Sequence, residues 1–311
     1  MQKDRTIYYH ILACGVVIIW GTTFVSTKVL INNGLQPHDI FFYRFLLAYI
    51  AILPFSLMRR KRQSQERLQF PEQSRLQFFA KSLKDELLLV LLGVSGGSLY
   101  YLLENTAIEH TYAYNVALLL GITPLLASYA AHIFIKGERI NSTYILYSLI
   151  ALLGLVLVVF NGHFILKLSP VGDILALGSS VVWAIYTVVL RKIDGRYNIF
   201  FITRKVFFYG VLTILPFYLF KPLDHNIFSP VVLGNLIFLG LIASLLCYFL
   251  WNLTVSKLGA VSTANYLYIG PVITLITSAI ILDEKITWVA IVGIVLILIG
   301  VYLAAKKMQY K

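Results

Sequence analysis

Residues 11–30, ILACGVVIIWGTTFVSTKVL, align without a gap on residues 174–193, ILALGSSVVWAIYTVVLRKI. Gly15 falls on Gly178, Trp20 on Trp183 and Lys28 on Arg191. Farther on, a constant offset of 147 pairs Gly93 with Gly240, Tyr101 with Tyr248, Asn105 with Asn252 and Pro124 with Pro271. An offset of 146 then pairs Glu138 with Glu284, Ile140 with Ile286 and Gly154 with Gly300, and Leu-Pro-Phe recurs at 53–55 and 215–217. Leu and Ala identities mean little in apolar segments. Matches of Trp, Asn, Pro and Glu in one order identify an internal duplication.

What is duplicated is a set of membrane spans. A chain of 311 residues with 59% hydrophobic and 13% charged residues and a mean hydropathy of +0.81 is not an ordinary soluble protein. A hydrocarbon core about 30 Å thick needs roughly 20 apolar residues per helix. Ten stretches qualify: 8–32, 38–58, 85–108, 112–135, 143–161, 171–191, 198–220, 231–257, 260–282 and 287–305. Each copy therefore holds five spans, and an odd-span repeat must lie upside down relative to its mate. The expected fold is an all-α integral membrane protein of ten transmembrane helices, built as two inverted five-helix repeats over 1–165 and 166–311. Secondary transporters built this way place their substrate where the repeats meet.

The net charge of +12 invites a nucleic-acid partner, and its distribution removes that reading. With both termini on one face, nineteen of the 26 Lys and Arg residues lie there, the run Arg59-Arg60-Lys61-Arg62 among them. Four lie on the opposite face, and Arg44, Arg204 and Lys205 lie inside spans. Positive loops stay cytoplasmic, so both termini are expected in the cytoplasm. Cys14 and Cys247 fall inside spans at no metal or disulfide spacing.

The chain resembles the drug/metabolite transporter superfamily, in its EamA-domain branch. Trp20-Gly21-Thr22-Thr23-Phe24 in the first span carry the resemblance, as do Asp283-Glu284-Lys285-Ile286-Thr287 and Gly300-Val301-Tyr302-Leu303 at the last. The resemblance covers both repeats. It implies a ten-helix carrier of small metabolites, often outward, with no bound cofactor or metal; the expected location is the bacterial cytoplasmic (inner) membrane.

Depth, counted at about 1.5 Å per residue, places unusual side chains at one level. Trp20 and Thr23, Ser95 and Ser98, Pro124, Trp183 and Tyr186, Ser244, and Pro271 all lie near the middle of their spans. Proline frees a carbonyl one turn back, which is tolerated only beside protein or water. Packing explains any one of these residues; their coincidence across six helices points to a midplane cavity. A second polar layer, expected as gates or as interhelical hydrogen bonds, comprises Asn105 and Asn115 toward the outer mouth and Asn252 and Asn265 toward the inner. Glu104 is the one acid well inside an apolar stretch, and Arg44 lies at a similar depth. They are expected as an ion pair or as a proton-coupling element. Arg204 and Lys205 are expected to snorkel to the cytoplasmic surface.

No Lys or Arg is expected at mid-depth, which disfavours phosphorylated substrates. The pocket suits neutral, zwitterionic or amphipathic metabolites such as amino acids and organic cations, the latter favoured by Trp faces. A membrane-embedded enzyme is the alternative, and a non-transporting receptor or scaffold another. Against the enzyme, the six histidines are scattered and no paired-acid or His-Glu-x-x-His pattern occurs.

Overall fold

A computed structural model describes residues 2–58, 78–111, 116, 119–160, 169–218, 225–282 and 286–309. All regular structure among them is helical, as lipid demands of a chain that must satisfy its own backbone. In chain order, α1 is Gln2–Asn32, α2 Pro37–Met58, α3 Leu83–His110, α4 Thr123–Phe134 and α5 Ser142–Phe160. Then come α6 Pro170–Ile193, α7 Ile199–Ile214, α8 Pro230–Leu258 and α10 Trp288–Gln309, with α9 running as Ala260–Ala264, a 3₁₀ stretch Asn265–Ile269 and Gly270–Leu282. Among the described residues six helices are long and apolar enough to cross a membrane, α1, α3 and α6 to α9. Ser142–Val158 and Trp288–Ala304 are shorter apolar helices.

The exposed helix faces are apolar, unlike those of a soluble protein. On α6, Ile174, Leu177, Val181 and Ile185 recur every three or four residues and are exposed, while Ser179, Ser180 and Thr187 are buried. An apolar exterior, with the few polar side chains turned inward among apolar ones, is what a lipid solvent selects.

Two features repeat between the copies. Both α3 and α8 contain a π-helical turn, Val94–Ser98 and Phe238–Leu246, at positions related by the offset of 147. In α3 the turn contains Gly97 at φ −130° and ψ −107°, outside helical geometry. The second feature is the seam between α5 and α10. A Cβ on Gly154 would meet the Gly293 carbonyl at 2.6 Å, and one on Gly300 would meet the Tyr147 carbonyl at 2.7 Å. Gly154 pairs with Gly300, and Tyr147 with Gly293, at offset 146. The contact is thus made twice, as across a two-fold axis. Gly93 and Gly97, four apart on α3, instead face Tyr209 and Gly210 of α7 and Phe45 of α2.

Pro271 stands second in the helical part Gly270–Leu282, after the 3₁₀ stretch, and Pro124 stands second in α4 after a turn at 121–122. Each proline restarts a helix instead of bending a continuous one.

Candidate functional site

Trp20 and Trp183 meet edge to face, with ring centroids 5.4 Å apart at 89°. Around them stand Trp251 at 5.0 Å from Trp20, and Tyr100 and Tyr186 each at 5.0 Å from Trp183. Tyr248 packs against both tryptophans at 5.9 and 6.0 Å. Beside this cluster lies a cavity of about 80 Å³. Its wall takes Trp20, Thr23 and Phe24 from α1 and Tyr100, Tyr101 and Glu104 from α3. Leu120, Thr123 at the head of α4, Trp183 of α6, and Leu267, Gly270 and Pro271 of α9 also line it.

Glu104 is the one carboxylate in that wall. It is 7% exposed and accepts from the Tyr100 hydroxyl at 3.2 Å. Trp251 holds in α8 the place that Glu104 holds in α3, 147 residues on. Among the described residues no ion pair joins Glu104 to Arg44. Arg44 is 2% exposed, donates from Nε to Ser244 Oγ at 2.9 Å and lies 4.2 Å from the centroid of the Tyr101 ring. Equal depth put the two charges on one level, but each is engaged by a different partner, and Tyr101 belongs to the cavity wall while Arg44 does not.

Five of the expected residues reach the cavity: Trp20, Thr23, Trp183, Pro271 and Glu104. Pro124 is not in the wall; its neighbour Thr123 is, tied to Ser180 by a 2.9 Å hydrogen bond. Ser95 turns back onto Leu91 O at 2.6 Å, Ser98 accepts from Thr213 at 2.8 Å, and Ser244 is held by Arg44. Tyr186 lies one layer behind the wall, its ring on Gly96, where any Cβ would clash with it at 2.3 Å.

The asparagines tie helices together. Asn105 Nδ2 donates to Pro37 O at 3.1 Å and Asn265 Nδ2 to Val301 O at 2.9 Å. Asn252 accepts from Tyr186 at 2.6 Å and donates to Thr203 at 3.0 Å. Asn115 lies outside the described residues. Lys205 does not snorkel: it is 3% exposed and paired with Glu86, which also accepts from Tyr209. A nearby carboxylate offers the ammonium a better partner than the long path to the surface.

Sequence reasoning missed Tyr100 and the ring cluster of Tyr248 and Trp251. The Tyr101–Tyr248 identity within the repeat was the available signal for one pair; their hydroxyls lie 3.3 Å apart, so repeat mates meet at the centre.

The profile of the EamA-like transporter family matches residues 7–160 and again 170–306. An uncharacterized transporter of Archaeoglobus fulgidus is 26% identical over 302 residues, covering 96% of this chain and 97% of that protein. The uncharacterized transporter YyaM of Bacillus subtilis is 26% identical, with 98% and 95% covered. A probable terminal-alkyne amino-acid exporter of Streptantibioticus cattleyicolor is 27% identical over 227 residues, with 72% and 74% covered. A protein of known crystal structure superposes with a TM-score of 0.72 at 17% identity over 97% of this chain and 98% of its own, a likeness of fold.

Proposed function

Because the chain belongs to the EamA-like transporter family, we propose that it is a secondary carrier, and an exporter, of small metabolites that bear an amino group, amino acids and organic cations among them. The observation that carries it is the cavity wall. Trp20 and Trp183, repeat mates from opposite halves, face each other beside the single carboxylate Glu104. Aromatic faces and one carboxylate in the wall favour an ammonium or quaternary nitrogen, by about 0.5–2 kcal/mol per ring.

The architecture that goes with this reading is ten spans, α1 to α10, as two inverted halves over 1–165 and 166–311, with both termini in the cytoplasm. The cavity lies between the halves and opens to each side in turn. The relative named as an amino-acid exporter supports both the amino substrate and the outward direction.

Counterflow in liposomes tests it, with labelled amino acids and organic cations set against sugars and organic acids. The parent protein is expected to accumulate an amine and leave it chemically unchanged. Trp20→Ala should raise its half-saturation about tenfold, the loss of one or two ring contacts. Glu104→Gln should abolish the preference for cations over neutral analogues. Movement of no solute, or equal rates for acids and amines, would overturn the assignment.

A further inference from the structure

The π-helical turns of α3 and α8 each offer one backbone carbonyl to an aromatic side chain, but not to the same one. In α8, Ala243 O accepts from Trp20 Nε1 at 2.9 Å. The repeat mate of Ala243 is Gly96, at offset 147, and the mate of Trp20 is Trp183. A symmetric molecule would bond Trp183 to Gly96 O. Instead Gly96 O accepts from the hydroxyl of Tyr248. Trp183 is left with a buried indole N–H that has no hydrogen-bond partner among the described residues. Tyr101, the mate of Tyr248, makes no bond to Ala243 and lies against the Tyr248 hydroxyl at 3.3 Å.

A buried donor without an acceptor raises the free energy of its state and needs a reason. The repeat supplies one. Exchanging every residue for its mate turns the observed bonds into a second set: Trp183 Nε1 to Gly96 O and Tyr101 hydroxyl to Ala243 O, with Trp20 released. The rings are in mutual contact, Trp20 with Trp183 at 5.4 Å and Tyr248 with both tryptophans at 5.9 and 6.0 Å, so one cannot turn without displacing the others. Packed clusters of this kind have discrete arrangements and not a continuum. π turns recur at functional sites, as here beside the cavity.

We propose that Trp20, Tyr248, Trp183 and Tyr101 form a hydrogen-bond exchange on the carbonyls of Ala243 and Gly96, the observed set marking one access state of the carrier and the repeat-related set the other. It rests on the alternating-access reading above. In each state the tryptophan released from its carbonyl presents its N–H beside the cavity; in the observed state that residue is Trp183, which lines it.

Phenylalanine substitutions keep the rings and remove single donors. Trp20→Phe and Tyr248→Phe weaken the observed set; Trp183→Phe and Tyr101→Phe weaken the other. The readout uses Leu120→Cys and Leu267→Cys, repeat mates in the cavity wall, each in a chain with Cys14→Ser and Cys247→Ala. An impermeant maleimide is applied to right-side-out and to inverted membrane vesicles, and the ratio of the two labelling rates reports the access equilibrium. The first two variants should move that ratio one way and the second two the other, each by about three- to tenfold, the weight of one hydrogen bond. The double variant Trp20→Phe/Trp183→Phe should return it to within about twofold of the parent, since both sets then lack one tryptophan donor. Shifts of one sign in all four variants, no shift in any, or a double variant displaced farther than either single one would sink the exchange. Labelling needs no transported solute, so solute counterflow with an unmoved ratio rejects the exchange and spares the carrier. The expected swing without counterflow does the reverse.

Discussion

Alanine at Gly154 is the sharpest test of the packing. A Cβ there would lie 2.6 Å from Gly293 O, 2.8 Å from Ile297 N and 2.9 Å from Leu296 Cβ. Two of these are backbone atoms of α10, which cannot step aside as a flexible side chain would. To restore ordinary contact the two helices must part by roughly 0.5–1 Å, a gap that forfeits about a quarter to a half of each dispersion well along the seam. The cost is about 1–3 kcal/mol, the usual range for overpacking. At roughly 2–4 °C per kcal/mol for a chain of this size or somewhat smaller, the unfolding midpoint should fall by about 2–12 °C. Thermal unfolding of the purified protein in detergent measures it, with Gly15→Ala and Gly178→Ala as controls. Nothing lies within 4 Å of a Cβ on Gly15, and the nearest atom to one on Gly178 is Leu103 Cδ1 at 3.5 Å. Both controls gain helix propensity and should unfold no lower than the parent. Gly154→Ala/Gly293→Ala should cost less than the sum of its parts, because the first methyl already opens the gap that the second needs. If Gly154→Ala unfolds at the temperature of Gly15→Ala, the close approach of α5 and α10 is wrong.

Other outcomes follow from single contacts. Gly259 sits at φ +85° with Glu138 Oε1 2.7 Å from its Cβ position, so Gly259→Ala should destabilise by about 1–2 kcal/mol in the same unfolding assay. Glu138 accepts from Ala260 N at 2.8 Å and from Arg191 Nε at 3.1 Å, and Glu138→Ala should cost about 0.5–2 kcal/mol through the lost cap; Glu138→Gln should retain part of it. Lys205→Met leaves Glu86 without its cation and should lower the midpoint more than Lys205→Met/Glu86→Gln does, a difference read by a double-mutant cycle. Tyr186→Phe strips Asn252 of its 2.6 Å donor and should cost about 1 kcal/mol, with no change in the helix content seen by circular dichroism.

The helices and the duplication are legible in the chain because hydropathy and residue identity are one-dimensional signals. Helix rotation is not, and the site depends on rotation. Counting residues gave Ser95, Ser98 and Ser244 a common level, yet the π turns at 94–98 and 238–246 change the angular register inside α3 and α8, and these hydroxyls bond within their own helix (Ser95) or to neighbouring helices (Ser98 and Ser244). Trp20 and Trp183 were readable because the repeat singled them out among apolar neighbours. Tyr100 and Trp251 were not, since an aromatic residue on an apolar helix looks the same whether it faces lipid or a partner. The supposed bond between Arg44 and Glu104 failed for a similar reason: shared depth says nothing of which neighbour each side chain turns toward.

The two halves carry a recognisable repeat, but Glu104 stands in one where Trp251 stands in the other. A carrier of two identical halves would greet a solute alike from either side and idle equally in both orientations. For the carrier proposed above, with Glu104 in the cavity wall and its repeat mate Trp251 outside that wall, half-saturation on the two faces is expected to differ for a charged solute even though its equilibrium distribution does not. Rectification of this kind needs no valve. It would follow from one carboxylate standing where the repeat mate is an indole.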